Sequence, residues 1–167
     1  MTEDIVKALA AFDAAIATTT DVDGPWKALQ TLALGTVGAK LFTVMKVDWT
    51  NERSGRVFTS HPDSYPVSGT KPINRTRWFD IVHVERRPFI ANTIDEIAGV
   101  FPDHETIWSL GCGSVLNWPV FIAGRLVGTV NLLHEEHFYT AERVEAARQL
   151  SLPAKLAFLA AQQLAKA

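Results

Sequence analysis

The sequence predicts an α+β domain: a central, mostly antiparallel sheet with terminal helices on one face and short helices and loops on the other. Three observations lead there. The ends of the chain, "IVKALAAFDAAIA" and "AKLAFLAAQQLA", place apolar residues at helical spacing. The interior holds β-branched and aromatic runs that pair as hairpins. Between them lie a long polar connection and short helical stretches, so the second face of the sheet receives a different and thinner cover.

Taken in order, Thr2 caps the first helix, Glu3 and Asp4 occupy its first turn, and Ile5, Leu9, Phe12 and Ile16 form its apolar stripe. The loop "TTTDVDGP" ends it. Pro25 opens a second helix over residues 26–34, closed by Gly35 or Gly38. "AKLFTVMKVDWT" is a strand, Gly55 marks a turn, and "RVFTSHP" is the hairpin partner. "PDSYPVSGTKPINRT" is a structureless connection with prolines at 62, 66 and 72, of a length that usually serves function or is disordered. "RWFDIVHVERR" reads as a short helix, "PFIANT" as a short strand and "IDEIAGVFPDHETIWSLG" as one or two short helices. "CGSVLNWPVFIAG" and "RLVGTVNLLHE" form a hairpin around Ala123 and Gly124. Thr140 caps the last helix and Pro153 kinks it. A single domain over residues 1–167 is expected, with N-terminal helices at 1–36, sheet and pocket elements at 40–138 and the C-terminal helix at 140–166.

Composition narrows the class of function. With 167 residues and a net charge of -2, the chain has no basic cluster beyond Arg86-Arg87, so neither nucleic acid nor a membrane surface is an expected partner. One cysteine forms no internal disulfide and no thiolate zinc site. The acidic N-terminus is unlike a signal peptide, no apolar run approaches a membrane span, and a cytoplasmic location is expected.

The run from about Lys40 to Leu150 resembles the GAF domain family. The resemblance rests on "LFTVMKVD…GRVFTSHP", then "YPVSGTKPINRTRWFDIVHVERRPFIAN", then "SLGCGSVLNWPVFIAGRLVGTVNLLHEEHFYTAERVEAARQLS", in that order. It implies a GAF-like, PAS-related fold with five or six antiparallel strands and a pocket between sheet and short helices. It also implies a small-molecule ligand and dimerisation through terminal helices. The single cysteine departs from the cysteine set of free-methionine-sulfoxide-reductase members. Gly113 follows Cys112 where bilin-attaching members commonly carry histidine.

Candidate site residues follow from local chemistry. Read as a strand, "CGSVLN" puts Cys112, Ser114 and Leu116 on one face and Val115 and Asn117 on the other. Cys112 and Ser114 beside glycines then line a hollow, or Cys112 is a small core residue. "RTRWFD" offers Arg75, Trp78 and Asp80 at a helix start that favours an anion, although Thr76 also suits a simple cap. Trp78 stacks on a flat ligand or fills the core. His104 and Trp108 lie one turn apart and address the same space, unless His104 faces solvent. His61 and Tyr65 begin the long loop and close on the same cavity. Asn131, inside a strand, needs hydrogen-bond partners from a loop or a ligand. "HEEH" at 134–137 does not match helical zinc geometry and is assigned to the surface; no metal and no cofactor are expected.

The leading expectation is a small-molecule-binding sensor or regulatory domain without an attached output domain, taking an anionic or planar ligand and forming a homodimer. Two alternatives stand beside it. One is an enzyme on a polar metabolite, with Cys112 as nucleophile and His61 or His104 as base. The other is a helix-mediated interaction protein with a vestigial pocket.

Overall fold

The computed structural model describes residues 3–167, so the Thr2 cap lies outside the described residues. Helix α1 (Glu3–Thr18) and helix α2 (Gly24–Thr36, with Pro25 in its first turn) pack on each other, and α7 (Ser151–Leu164) lies beside α2. Their apolar stripes meet one face of a six-stranded antiparallel sheet ordered β3-β2-β1-β6-β5-β4. The strands are β1 (Leu41–Asp48), β2 (Arg53–Thr59), β3 (Thr70–Pro72), β4 (Phe89–Ala91), β5 (Ser114–Ile122) and β6 (Arg125–His134).

Alternation along the central strands sorts the residues into two cores. Phe42, Val44, Leu116, Val130 and Leu132 point to the helical layer and meet Leu29 and Phe158. Trp26 packs edge-on against Phe158 with ring centroids 4.9 Å apart. Burying such side chains fully stabilises the fold by about 1.5–3 kcal/mol each. Leu41, Val115 and Leu133 point the other way, to a second cluster with Ile81, Val82, Ile97 and Ile107. That cluster belongs to the thinner layer: α3 (Arg77–Phe79), which continues as a π-helical turn (Asp80–Val84), then α4 (Ile94–Ala98) and α5 (His104–Ser109).

Three local expectations are corrected, and a fourth resolves to one of its alternatives. The β1–β2 turn falls at residues 49–52, and Gly55 lies inside β2 opposite Lys46. A Cβ there would sit 2.5 Å from the Gly69 carbonyl oxygen, so close strand approach, not turn geometry, requires glycine. The proline-containing connection is not structureless, because β3 pairs with β2 through Ser54 and Lys71. Gly35 lies within α2; the helix ends at Thr36 and Gly38 follows with φ +95°. The C-terminal segment is α6 (Ala141–Ala147), a 3-10 turn (Arg148–Leu150) and α7, rather than one kinked helix. Pro153 lacks the N–H that would bond to Gln149, and its ring crowds that carbonyl, so the irregularity appears in the preceding turn. Thr140 caps α6 as expected, its hydroxyl accepting from the Arg143 N–H at 3.4 Å.

No helix among the described residues is long and apolar enough to cross a membrane.

Candidate functional site

The thinner layer leaves a cavity of about 230 Å³ against the sheet. Its floor is the row of residues at one level of three neighbouring strands, Asn117 on β5, Asn131 on β6 and Thr43 on β1, which the register places side by side. The Trp78 indole Nε1 on α3 donates to Asn117 Oδ1 at 2.8 Å. Asn117 Nδ2 donates to Asn131 Oδ1 at 2.8 Å, and Asn131 Nδ2 donates to Thr43 Oγ1 at 3.1 Å. An indole nitrogen only donates, so it orients Asn117, and each amide in turn orients the next group. Thr129, one step along β6 on the same face, is fully buried, and its hydroxyl has no partner among the described residues. A buried hydroxyl without a partner costs about 1–3 kcal/mol. Met45, Val115, Ile107 and Leu133 supply apolar walls.

The rim is polar and more exposed. Arg56 on β2 lies over the Tyr65 ring, 3.6 Å from its centroid, and donates to the Pro66 carbonyl at 2.6 Å. The Tyr65 hydroxyl donates to Asp103 Oδ2 at 2.5 Å, and an Arg56 guanidinium nitrogen lies 3.9 Å from the same oxygen. Burial first, and the bond to Asp103 second, push the Tyr65 phenol well above its ordinary range. These three residues tie β2, the long loop and the start of α5 together across the opening. Lys71 on β3 completes the rim and has no ion-pair partner among the described residues.

The structure therefore brings Trp78, Tyr65 and Asn131 together around the cavity. The other candidates lie outside its lining. Asp80 is exposed at the start of the π-helical turn. Arg75 is exposed, 5.8 Å over the Phe79 ring. Thr76 caps a helix of only three residues. His61 Nδ1 is 2.8 Å from Ser60 Oγ, which itself accepts from the Phe42 N–H, so this imidazole is engaged at the end of β2. His104 Nδ1 faces the Phe101 carbonyl at 3.1 Å. Trp108 is 55% exposed, and its helix turns Asp103 and Ile107 to the cavity instead.

In "CGSVLN" Leu116 does oppose Val115 and Asn117, but Cys112 departs from the expected face, and the cavity meets the Val115–Asn117 face instead. Strand β5 begins at Ser114, and the preceding turn takes Cys112 out of the strand's alternation. Leu116 joins the helical core, while Cys112 joins the opposite cluster. Ser114 closes the chain locally, donating to the Glu135 carbonyl at 2.7 Å. Val115 and Asn117 are the β5 residues that reach the cavity. Burial pushes the Cys112 thiol up to about 11, and among the described residues its sulfur bonds only to the Leu110 carbonyl, at 3.8 Å. The arrangement brings neither histidine to that sulfur.

The "HEEH" side chains act separately: His134 stacks on Phe138, Glu135 pairs with Lys40 and Glu136 accepts from the Ile94 N–H. Among the described residues no group of three or more metal-ligating side chains converges.

Sequence reasoning passed over Thr43, Arg56, Asp103, Asn117 and Thr129. One signal for them existed. In "TVNLLH" Thr129 and Asn131 occupy alternate positions of a strand whose other face carries Val130 and Leu132, and "SVLNWPV" sets the single amide Asn117 between apolar neighbours, which marks a polar inner surface rather than a solvent face.

A profile of the GAF domain family matches residues 3–158. A comparison with curated proteins finds no match. Among solved structures, the chain is similar to the GAF domain of a phosphoenolpyruvate-protein phosphotransferase from Coxiella burnetii, with TM-score 0.70, 17% identity, and 98% of this chain and 96% of that one covered. It is similar to the GAF domain of a two-component sensor histidine kinase from Bacillus halodurans, with TM-score 0.67, 12% identity and coverage of 83% and 94%. A free methionine-R-sulfoxide reductase from Neisseria meningitidis, in complex with its substrate, is similar with TM-score 0.64, 16% identity and coverage of 98% and 95%.

Proposed function

The chain belongs to the GAF domain family, a family of small-molecule-binding sensor domains, and from that premise we propose that it is a sensor or regulatory module whose ligand occupies the cavity beneath Trp78. One observation carries the reading. A 230 Å³ space is walled by apolar side chains yet floored by a directed hydrogen-bond row and by the partnerless Thr129 hydroxyl. Apolar walls with a few placed polar groups are what small-molecule sites have, and an engineered cavity of about 150 Å³ already admits benzene. The ligand is compact, and anionic or planar, matching the cations of the rim and the tryptophan over the floor. We place the protein in the cytoplasm, in keeping with a single buried cysteine.

The test is a thermal-shift screen with small carboxylates, amino acids, nucleobases and purine nucleotides. Amino acids enter because the similar Neisseria reductase is described with its substrate bound. A ligand of the native state must raise the midpoint; a flat response to every class defeats the reading.

We also infer a homodimer through the terminal helices. Leu152, Leu156 and Leu159 form an exposed stripe along α7, at 66%, 42% and 47% exposure. Apolar residues repeated at this spacing on a solvent face favour a helical partner.

A further inference from the structure

We propose that the cavity takes a short monocarboxylate without an ammonium group, whose far end carries a hydrogen-bond acceptor such as a carbonyl oxygen. The acceptor docks on the hydroxyls of Thr43 and Thr129, and the carboxylate meets Arg56 and Lys71 at the rim. This deepens the sensor reading and rests on it.

Hydrogen-bond direction is the first argument. Donation runs from Trp78 through Asn117 and Asn131 to Thr43, so the oxygens of all three acceptors are already engaged. What remains unpaired among the described residues is mostly hydrogen: the Thr43 hydroxyl proton, the second amide N–H of each asparagine, and the Thr129 hydroxyl, whose proton and oxygen are both unused. Thr43 and Thr129 are buried at 3% and 0% exposure. A floor rich in unspent donors selects an acceptor, and it penalises an apolar end, which would leave those donors desolvated.

Charge is the second. The lining holds two cations, Arg56 and Lys71, against one carboxylate, Asp103. Asp103 already receives the Tyr65 hydroxyl and faces Arg56. The lining thus offers one net positive charge and no free anion for an ammonium. Lys71 is exposed and Arg56 half-buried, so the charge sits at the opening while the floor stays neutral. Ligand polarity must run the same way, with charge outward and acceptor inward. The Arg56 fork keeps N–H groups beyond the one given to Pro66, in a geometry that suits a planar carboxylate.

Size is the third: the cavity holds 230 Å³, room for a molecule of about eight non-hydrogen atoms by comparison with benzene in about 150 Å³.

Levulinate has this layout. It is compared by titration with valerate, which lacks the acceptor, with methyl levulinate, which lacks the charge, and with free amino acids and planar neutral fragments. The Trp78 indole N–H resonance, assigned through Trp78→Phe, reports occupancy of the cavity. Levulinate is expected to bind about tenfold tighter than valerate and at least as much tighter than its ester. Thr129→Val brings levulinate and valerate to within about twofold of each other, and Lys71→Met narrows the gap between acid and ester. If Thr129→Val does not fold, the comparison of the four probe types on the natural chain still decides. Valerate, the ester, an amino acid or a planar fragment binding as well as levulinate, with the Trp78 signal moving, overturns the ligand class and leaves the sensor reading standing. A Trp78 signal that no probe moves overturns both.

Discussion

The Trp78 indole nitrogen donates to Asn117 Oδ1 at 2.8 Å, and this contact sets the hydrogen-bond direction of the cavity floor as far as Thr43, two strands away from Asn117. Were Asn117 to turn over, its amide would present hydrogens to a group that only donates. The floor therefore has one low-energy arrangement.

Trp78→Phe removes the donor while keeping an aromatic body. Asn117 Oδ1 loses its partner, and stability should fall by about 1–2 kcal/mol. For a chain of this size that lowers the thermal midpoint by about 2–8 °C. Calorimetry on both proteins checks it, and an unchanged midpoint means the row does not act as a unit.

Tyr65 makes stability sensitive to alkali. Its folded phenol titrates well above its ordinary value of 10.0, so the folded state holds the proton more tightly than the unfolded chain. The stabilisation is complete below pH 10 and drains away as pH rises beyond it. Denaturant midpoints measured from pH 8 to 11.5 should decline on the alkaline side. Tyr65→Phe should show a shallower decline and, at pH 7, a lower midpoint from the lost bond to Asp103.

Cys112 contributes to the same limb from a lower pH. Its thiol rises from 9.0 to about 11 on burial, so its share is full below pH 9 and lost toward 11. At pH 7.5 the native thiol should resist a disulfide-exchange reagent over hours and react within minutes in denaturant. Fast native labelling would revive the nucleophile reading.

Gly128 sits where β6 crosses against β1 and under α7. A Cβ there would run into the Met45 carbonyl oxygen and lie 2.6 Å from Phe158 Cζ. Gly128→Ala should cost about 3 kcal/mol or more, because backbone, not a flexible side-chain end, would have to move. Urea unfolding measures it.

Leu156→Glu, with Leu159→Glu as a second variant, tests the helical dimer. Light scattering should show a dimer for the natural chain and a monomer for either variant, with circular dichroism unchanged because both side chains face outward. A natural chain that is monomeric at micromolar concentration defeats this inference.

The order of elements was legible because it depends on neighbours in the chain. Helical spacing of Leu9, Phe12 and Ile16, the turn at Ala123 and Gly124, and the Thr140 cap are local features, and the six-stranded family fold follows from their sequence. Asn131 was also readable as a strand amide that needs a partner, Tyr65 as a loop residue beside the cavity and Trp78 as an aromatic for a flat ligand or the core.

The cavity's chemistry was decided elsewhere. Arg56, Tyr65 and Asp103 come from three separate segments, and the Thr43–Asn131–Asn117 row exists only once the strands β1, β6 and β5 settle in register. Alternation with period two puts Val115 and Asn117 on one face of β5 in either reading; only the packing of the helical layer against Leu116 decides that this face is the one turned to the cavity, and it leaves Ser114 to close a turn. Sequence alone thus determined most of the elements, β3 and the break before α7 excepted; long-range pairing determined which of their faces meet, and so which groups line the hollow.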